Sequence, residues 1–329
     1  MISRIITENE AGQRLDKYLK KLMPNAGSSF LYKMLRKKNI TVNKTKCSGN
    51  EMLKLGDEVN IFFSDETFDS FCGKERIKKH EESYEKAYES FHGIKIIFED
   101  DNICILHKPS GILSQKADKD DLSINEWFVG YLLNSGKITE DELETFMPSI
   151  ANRLDRNTSG LILGGKTLKG LQELNRQLKN KELKKYYRTV VHGNLKKEIH
   201  EKAYFIKNRE LNTVKIINLN QNNKIDKYDS IIETRFTPLY YDEKEDLTLL
   251  EVELITGKSH QIRAHLEHLG YPVVGEKKYS NNKKNDFERF HLKGQLLHAH
   301  HLIFPSGECI VDPMPEVFYR IIKSMPKDI

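Results

Sequence analysis

The chain has 329 residues, of which 38% are hydrophobic and 31% are charged, and its formal net charge is +5. This length leaves room for two domains, and the hydrophobic fraction is enough for a substantial core. No apolar run approaches the roughly 18 residues of a membrane-spanning helix, and the polar start lacks the apolar core of a signal peptide. The composition therefore predicts a cytoplasmic protein without a membrane partner.

Residues 12–64 have the pattern of a compact unit that opens with two short helices. Ser28 or Ser29 can cap the second helix. Apolar residues at helical spacing predict an inward face made of Leu15, Tyr18, Leu19 and Leu22, then Leu31, Met34 and Leu35. Basic residues lie beside that face in both helices: Arg14, Lys17 and Lys21, then Lys33, Arg36 and Lys37. Such a basic edge is suited to binding a nucleic-acid phosphate backbone. The alternative interpretation is a lysine-rich surface that contacts only solvent.

Two short strands complete this unit, one at Ile40–Asn43 and one after a turn at Gly56 and Asp57. Residues 65–91 are strongly charged and sparsely apolar, which predicts a tether or a loosely held helix between domains. We therefore place a domain boundary near residue 90.

Residues 92–329 mix strands and helices without a regular βαβ alternation. We predict a helix at residues 167–180 and an α+β domain around a mostly antiparallel or mixed sheet. Strands are predicted at Ile94–Phe98, Ile103–Leu106 and Leu161–Leu163, and within residues 185–193, 246–257 and 296–307.

The stretch ANRLDRNTSGLILGGKT, residues 151–167, supports two different interpretations. Gly160–Thr167 fits the G-x-x-x-x-G-K-[ST] phosphate-loop pattern, which would make the protein a nucleotide hydrolase. However, a phosphate loop must follow a buried strand, and here the apolar strand lies inside the motif while polar residues precede it. The second interpretation centres on Asp155, a carboxylate in a polar loop that leads into a buried strand.

Three later stretches favour the second interpretation. Together with Asp155 they resemble the RluA-type pseudouridine synthases, which isomerise uridine in structured RNA, over about residues 92–320. The family motif H-R-L-D-x-x-T-S-G is matched from Asn152, which replaces the histidine, to Gly160. The other matches are Lys185–Tyr187 for K-x-Y, Gly257–Leu266 for G-[RK]-x-H-Q-[IL]-R-x-H-L, Leu296–Pro305 for a histidine-bearing strand, and Lys108–Gln115 for a K-P-x-G turn without its common closing His-Pro.

The resemblance implies a catalytic site made of Asp155, Arg263 and Tyr187. The carboxylate would act at C1′ of the uridine, either by covalent attack or by taking a neighbouring sugar proton, and both routes remain open. Arg263 would keep the carboxylate ionised beneath a stacked base, and Tyr187 would stack on the uracil near C5. The reaction adds no atoms or electrons, so no cofactor and no metal are expected.

Two further residues are predicted to contact RNA. Arg153 would fill the space that the flipped uridine leaves or would hold a phosphate, and Lys108 is a weaker candidate for a phosphate contact. The histidines His265, His268, His298 and His300 lack an accompanying set of carboxylate or cysteine ligands, and the cysteines Cys47, Cys72, Cys104 and Cys309 are far apart.

The first unit resembles the alpha-L RNA-binding module of a ribosomal small-subunit protein. Asn39 takes the place of a glycine there, and we expect it to adopt the left-handed conformation. The predicted organisation is thus an RNA-binding α/β module at residues 1–64, a charged linker at 65–91 and a pseudouridine synthase domain at 92–329. RNA is the predicted partner of a monomer with no obligate protein partner, most readily large-subunit ribosomal RNA, with tRNA as the alternative. A non-catalytic RNA-binding ribosome-assembly protein is the competing function.

Overall fold

The computed structural model describes residues 1–72, 74–208, 210, 213–219, 230–279 and 286–326. Within these ranges the strands form two separate sheets, a four-stranded one and an 11-stranded one, each covered by its own group of buried apolar side chains. No helix in the described ranges is long and apolar enough to cross a membrane.

The small sheet and two helices form the N-terminal module. Its strands lie in the order β1-β4-β2-β3. The predicted apolar faces of both helices are confirmed, since all seven of their residues are buried. The elements are β1 (Ile2–Ile5), α1 (Leu15–Leu22), α2 (Ser28–Arg36), β2 (Ile40–Val42), β3 (Thr45–Lys46) and β4 (Glu58–Ile61).

Both ends of α2 differ from the prediction. Gly27 is the N-cap residue, and Ser28 and Ser29 already belong to the first turn. At the other end Lys38, not Asn39, adopts the left-handed conformation, with φ of 61°. The amides of Lys38 and Asn39 donate to Leu35 and Met34, which is the Schellman arrangement that closes a helix.

The charged segment after the module forms two helices, α3 (Asp65–Phe71) and α4 (Lys74–Ser90). Phe68 of α3 packs into the core of the N-terminal module. Tyr84 and Ala87 of α4 pack into the core of the large sheet, where a Cβ on Gly130 would lie only 2.5 Å from the Tyr84 carbonyl oxygen. The segment is therefore not a loose tether, because each end is held by a different core.

The large sheet is mostly antiparallel and mixed, as predicted, with β8 and β14 as its parallel pair. Its strand order is β11-β10-β12-β13-β9-β14-β8-β6-β5, with β15 beside β14 and β7 beside β8. The elements are β5 (Lys95–Glu99), β6 (Ile103–Lys108), α5 (Ile124–Asn134), α6 (Glu140–Leu143), β7 (Ser149–Ile150), β8 (Ser159–Gly165), α7 (Leu168–Lys179), β9 (Lys184–His192), β10 (Ile199–Asn208), β11 (Thr213–Asn218), β12 (Ser230–Asp242), β13 (Leu247–Leu254), α8 (Gln261–His268), α9 (Asp286–Phe290), β14 (Leu297–Ile303), β15 (Cys309–Val311) and α10 (Glu316–Ile321).

The phosphate-loop pattern of the sequence lies on β8, whose residues are all buried. Gly160 has φ of +114°, and a Cβ there would meet the Ala299 carbonyl oxygen at 2.3 Å, so glycine is required for the approach of β14. Lys166 pairs with Glu99, and Thr167 caps α7. Gly160, Lys166 and Thr167 thus stabilise the sheet and the start of a helix. The nucleotide-hydrolase interpretation therefore has no structural support.

Candidate active site

Asp155 lies in the loop between β7 and β8, and its side chain is 22% exposed. The loop is fixed at both sides of Asp155. Asn152 accepts a hydrogen bond from the Leu163 amide at 2.8 Å, and the Thr158 amide donates to the Asp155 carbonyl at 3.0 Å. The carboxylate is thus presented from a backbone tied to a central strand.

Arg263, from the first turn of α8, donates through Nη1 to the Asp155 carboxylate at 2.6 Å. The two residues are 108 positions apart in the chain, and the fold brings them together as the sequence predicted. Burial opposes the charged form of Arg263, but hydrogen bonds to Glu276 and Asp155 outweigh it and hold its pKa above the ordinary value. The cation beside Asp155 is therefore permanent.

Glu276 anchors Arg263 from the other side, and sequence reasoning missed it. Its side chain is fully buried and accepts from Arg263 Nε at 2.6 Å and from Nη2 at 2.8 Å. Burial acts to raise the pKa of Glu276, but Arg263 and the amides of Lys278 and Tyr279 bring it below the ordinary value. The planar guanidinium therefore bridges two carboxylates, an arrangement for which its fork geometry is suited.

Tyr187 lies on β9, buried in the same core cluster as Leu154, the neighbour of Asp155. Burial, with a smaller contribution from the Asp155 charge, raises the pKa of its phenol, so the hydroxyl keeps its proton at neutral pH. Tyr186, on the opposite face of β9, stacks instead on His301 with ring centroids 4.3 Å apart, which indicates a structural role.

His260 and Tyr279 lie beside the same carboxylate, and no sequence pattern indicates Tyr279. His260 adopts the left-handed conformation just before α8, and its Nε2 lies 3.9 Å from Asp155 Oδ1. The Tyr279 hydroxyl is 2.6 Å from the other ring nitrogen of His260, and its ring lies under Arg263 at 5.5 Å. Burial lowers the pKa of His260 and raises the pKa of Tyr279 to about 12.

Lys108 is placed differently from its predicted role as a phosphate contact. The residue is 0% exposed, and its ammonium donates to the carbonyl oxygens of Pro109, Ile112 and Arg156 at 2.8–3.1 Å. Burial lowers the pKa of Lys108 to about 7, and the Asp155 carboxylate acts in the opposite direction. A buried ammonium with these three acceptors supports the Asp155 loop and is not free to bind a phosphate.

The rest of the Lys-Pro turn supports the same loop. Ser110 donates to the Asn157 carbonyl at 2.9 Å, and the Gly111 amide donates to the Arg156 carbonyl at 2.8 Å. Ser114 both donates to and accepts from the Leu154 backbone. The K-P-x-G turn is thus hydrogen-bonded to the Asp155 loop and supports it.

The residues predicted to bind RNA, apart from Lys108, are exposed. They are Arg153 in the Asp155 loop and Arg14, Lys17, Lys33, Arg36 and Lys37 in the N-terminal module. Arg14 is partly neutralised, since its guanidinium is paired with Asp16 at 3.0 Å. The others have the solvent access that a phosphate contact requires.

Comparison with known proteins agrees with this geometry. The family model described as RNA pseudouridylate synthase matches residues 102–268, which include Asp155, Tyr187 and Arg263. An uncharacterized RNA pseudouridine synthase of Mycoplasma genitalium is 33% identical over 92% of this chain and 89% of its own length. The chain belongs to the RNA pseudouridine synthase family.

Other relatives of this pseudouridine synthase carry more specific names. The ribosomal large subunit pseudouridine synthase C of Vibrio parahaemolyticus is 31% identical over 92% of this chain and 89% of its own length. The enzyme of the same name from Buchnera aphidicola is 30% identical over 97% and 96%. Human RNA pseudouridylate synthase domain containing 4 shares the fold, with a TM-score of 0.58 over 76% of this chain and 99% of its own at 18% identity.

Three of the histidines considered above as metal ligands make hydrogen bonds within the fold of this pseudouridine synthase. His265 contacts Thr234, His268 contacts Asn218, and His298 lies between Ser159 and the Asp312 carbonyl. Within the ranges that the structure describes, no group of three or more histidines, cysteines and acidic residues has the arrangement of a metal site.

Proposed function

We propose that this enzyme isomerises uridine to pseudouridine in large-subunit ribosomal RNA and that Asp155 is its catalytic carboxylate. The observation that carries the proposal is the 2.6 Å ion pair between Arg263 and Asp155, with Arg263 held in turn by buried Glu276. A carboxylate at the bottom of an RNA-binding cleft is desolvated when a base covers it, and the adjacent guanidinium counteracts the resulting rise in its pKa.

The reaction breaks the N1–C1′ bond of uridine, turns the uracil and joins C5 to C1′, with loss of the C5 proton. Positive charge develops on the ribose when the first bond breaks, and the Asp155 carboxylate stabilises it. Asp155 then either bonds to the sugar or removes a neighbouring sugar proton. Tyr187 stacks on the freed uracil near C5. The C5 proton leaves to water and N1 takes up a proton, so that the product is an isomer of uridine; on the second route the sugar proton returns from Asp155 to the ribose.

The target uridine must leave its stack before C1′ can reach Asp155. Arg153, exposed two residues before the carboxylate, takes the place of the displaced base or holds its phosphate. The N-terminal module supplies sequence-independent affinity through Lys17, Lys33, Arg36 and Lys37. Ribosomal RNA is proposed as the substrate because the relatives from Vibrio and Buchnera are named for the large ribosomal subunit.

The substitution Asp155→Asn tests the proposal, because it keeps the size of the side chain and removes its charge. We expect turnover on large-subunit ribosomal RNA to be abolished, while RNA affinity changes less than about threefold because the phosphate contacts remain. Turnover would be followed as pseudouridine formed in a transcript, and affinity by filter binding. Unchanged turnover would exclude Asp155.

Mapping pseudouridine in total RNA from cells with and without the gene tests the substrate. We expect sites to disappear from large-subunit ribosomal RNA. Loss of sites from tRNA alone would replace the proposed substrate, and loss of none, with RNA binding retained, would favour a non-catalytic assembly factor.

A further inference from the structure

Lys185, the first residue of the K-x-Y motif, has no role in the chemistry described above. It lies on β9 two residues before Tyr187 and therefore faces the same side of the sheet, about 6.6 Å along the strand. Lys185 and Tyr187 therefore share one face of β9.

The ammonium of Lys185 has no counter-charge within the part of the chain that the structure describes. The residue is only 9% exposed, yet no described side chain or carbonyl lies within hydrogen-bond or ion-pair distance of Nζ. The stem of Lys185 is therefore buried while its ammonium keeps contact with solvent. Burial lowers the pKa of Lys185, and the positive charge of Lys181 adds to that effect.

Lys108 provides a direct contrast, because it is fully buried and has an internal hydrogen-bond acceptor for each of its protons. Its three acceptors are backbone carbonyls, and the Asp155 carboxylate lies near enough to influence its charge. Lys185 has neither kind of partner, which leaves its hydrogen-bonding capacity available to a molecule from outside.

The position of Nζ shows where that molecule would lie. A methyl group on Gly257 would be 3.8 Å from Lys185 Nζ, so the ammonium lies beside the loop that leads into α8 and Arg263. Gly257 and Lys258 in this loop are exposed, and Lys258 and Lys181 add positive charge around the same opening. A small anion fits this environment, and in RNA that anion is a backbone phosphate.

We propose that Lys185 is a phosphate-binding residue of the catalytic cleft, which holds an RNA backbone phosphate next to the uridine at Asp155. This inference rests on the proposed function, because it needs the uridine to be bound between Asp155 and Tyr187. The phosphate supplies a counter-charge that the described part of the folded protein does not provide, so the ammonium makes a charge-assisted hydrogen bond only when RNA is bound.

The substitution Lys185→Met tests the proposal, because it keeps the buried stem and removes the charge. We expect KM for an unmodified large-subunit ribosomal RNA transcript to rise about 10- to 100-fold, the loss of one charge-assisted hydrogen bond. We expect kcat at saturating RNA to change much less. A plot of log KM against log salt concentration should become shallower by about 0.7–0.9, the effect of one lost phosphate contact.

Lys184→Met is the matched control, because Lys184 is the exposed neighbour on the opposite face of β9 and the change in net charge is the same. It should leave KM and the salt dependence unchanged. Lys185→Arg, which keeps a cation, should recover at least part of the salt dependence that Lys185→Met loses.

Thermal unfolding separates this role from a structural one. The ammonium of Lys185 makes no hydrogen bond or ion pair within the described residues, so Tm of Lys185→Met should stay unchanged or rise. An unchanged KM, or a raised KM with an unchanged salt dependence, would overturn the proposal, since the latter indicates a neutral partner such as a uracil carbonyl. If Lys185→Met does not fold, the salt dependence of KM is measured for Lys185→Arg instead. A loss of that dependence, although the cation is retained, would overturn the proposal.

The Asp155→Asn measurement distinguishes the two proposals. Turnover by Asp155→Asn would reject the catalytic assignment itself, whereas an active Lys185→Met enzyme with unchanged KM would reject only the phosphate site.

Discussion

Arg263 in the cleft and Lys17 on the N-terminal module carry the same charge in opposite environments. Arg263 is buried and makes hydrogen bonds to two carboxylates, so its guanidinium has one position. Lys17 is exposed on α1, as are Lys33, Arg36 and Lys37 around α2. An exposed lysine or arginine side chain adopts many rotamers in water.

The difference corresponds to two separate demands on positive charge. Stabilising a reacting group requires a charge that is already oriented, because reorganising it would add to the barrier. Attracting a polyanion of varied shape requires mobile charges that release counterions wherever they meet a phosphate. We therefore expect cleft substitutions to reduce kcat and module substitutions to alter KM and its salt dependence.

The largest effect should come from Arg263. Arg263→Met removes the cation beside Asp155, and we expect kcat to fall by about 10²–10³, with RNA affinity nearly unchanged. Arg263→Lys retains a charge but cannot bridge Asp155 and Glu276 with a planar fork, so its kcat should fall by about 10². Single-turnover kinetics measure both losses, with Arg289→Lys on the surface as control. Full activity in Arg263→Lys would show that charge alone is sufficient.

Glu276→Gln should have an intermediate effect on kcat, because residue 276 contacts Arg263 but not the reacting atoms. The neutral amide leaves Arg263 less firmly oriented toward Asp155, and we expect kcat to fall by about 10- to 100-fold. The buried cation also loses a counter-charge, so unfolding should become easier by about 1–3 kcal/mol. The free energy of unfolding, from denaturant titration, and kcat are measured for Glu276→Gln and for Glu308→Gln, a control at an exposed position. A loss of stability without a loss of kcat would make Glu276 purely structural.

The smallest effect on the chemical step should come from the module. Replacing Lys17, Lys33, Arg36 and Lys37 together by glutamine should leave kcat at saturating RNA unchanged. The slope of log Kd against log salt concentration should become shallower by about 0.7–0.9 for each replaced side chain that contacts a phosphate. A control with Lys169, Lys179, Lys196 and Lys323 replaced keeps the net charge equal. If both proteins lose the same salt dependence, the module has no special part in binding RNA.

Much of the fold could be predicted because apolar residues recur at every second position in its strands and at every third or fourth position in its helices. β9 begins and ends within one residue of its predicted limits, whereas β13 and β14 begin within one residue of theirs and end three and four residues early. The predicted buried face of α1 is complete. The errors fall at boundaries, as at Lys38, where one residue decides which side chain takes the left-handed position.

The site was predictable only in part, because its contacts join distant segments. The pairing of Asp155 with Arg263 came from resemblance to a family, and no spacing rule indicates it. Glu276 and Lys108 have charged side chains in turn-like sequence, where exposure is the ordinary expectation. Their burial follows from how loops from different parts of the chain meet, which local periodicity does not record.

The position of β14 affects the order in which the enzyme can be assembled. This strand, Leu297–Ile303, fills the middle of the large sheet between β8 and β9, although more than a hundred residues separate it from β9 in the chain. During synthesis the two halves of the sheet have no partner along these edges until the last tenth of the protein emerges, whereas the small N-terminal sheet closes at once. A truncated or still-growing polypeptide can therefore present its basic helices long before it possesses a working catalytic centre.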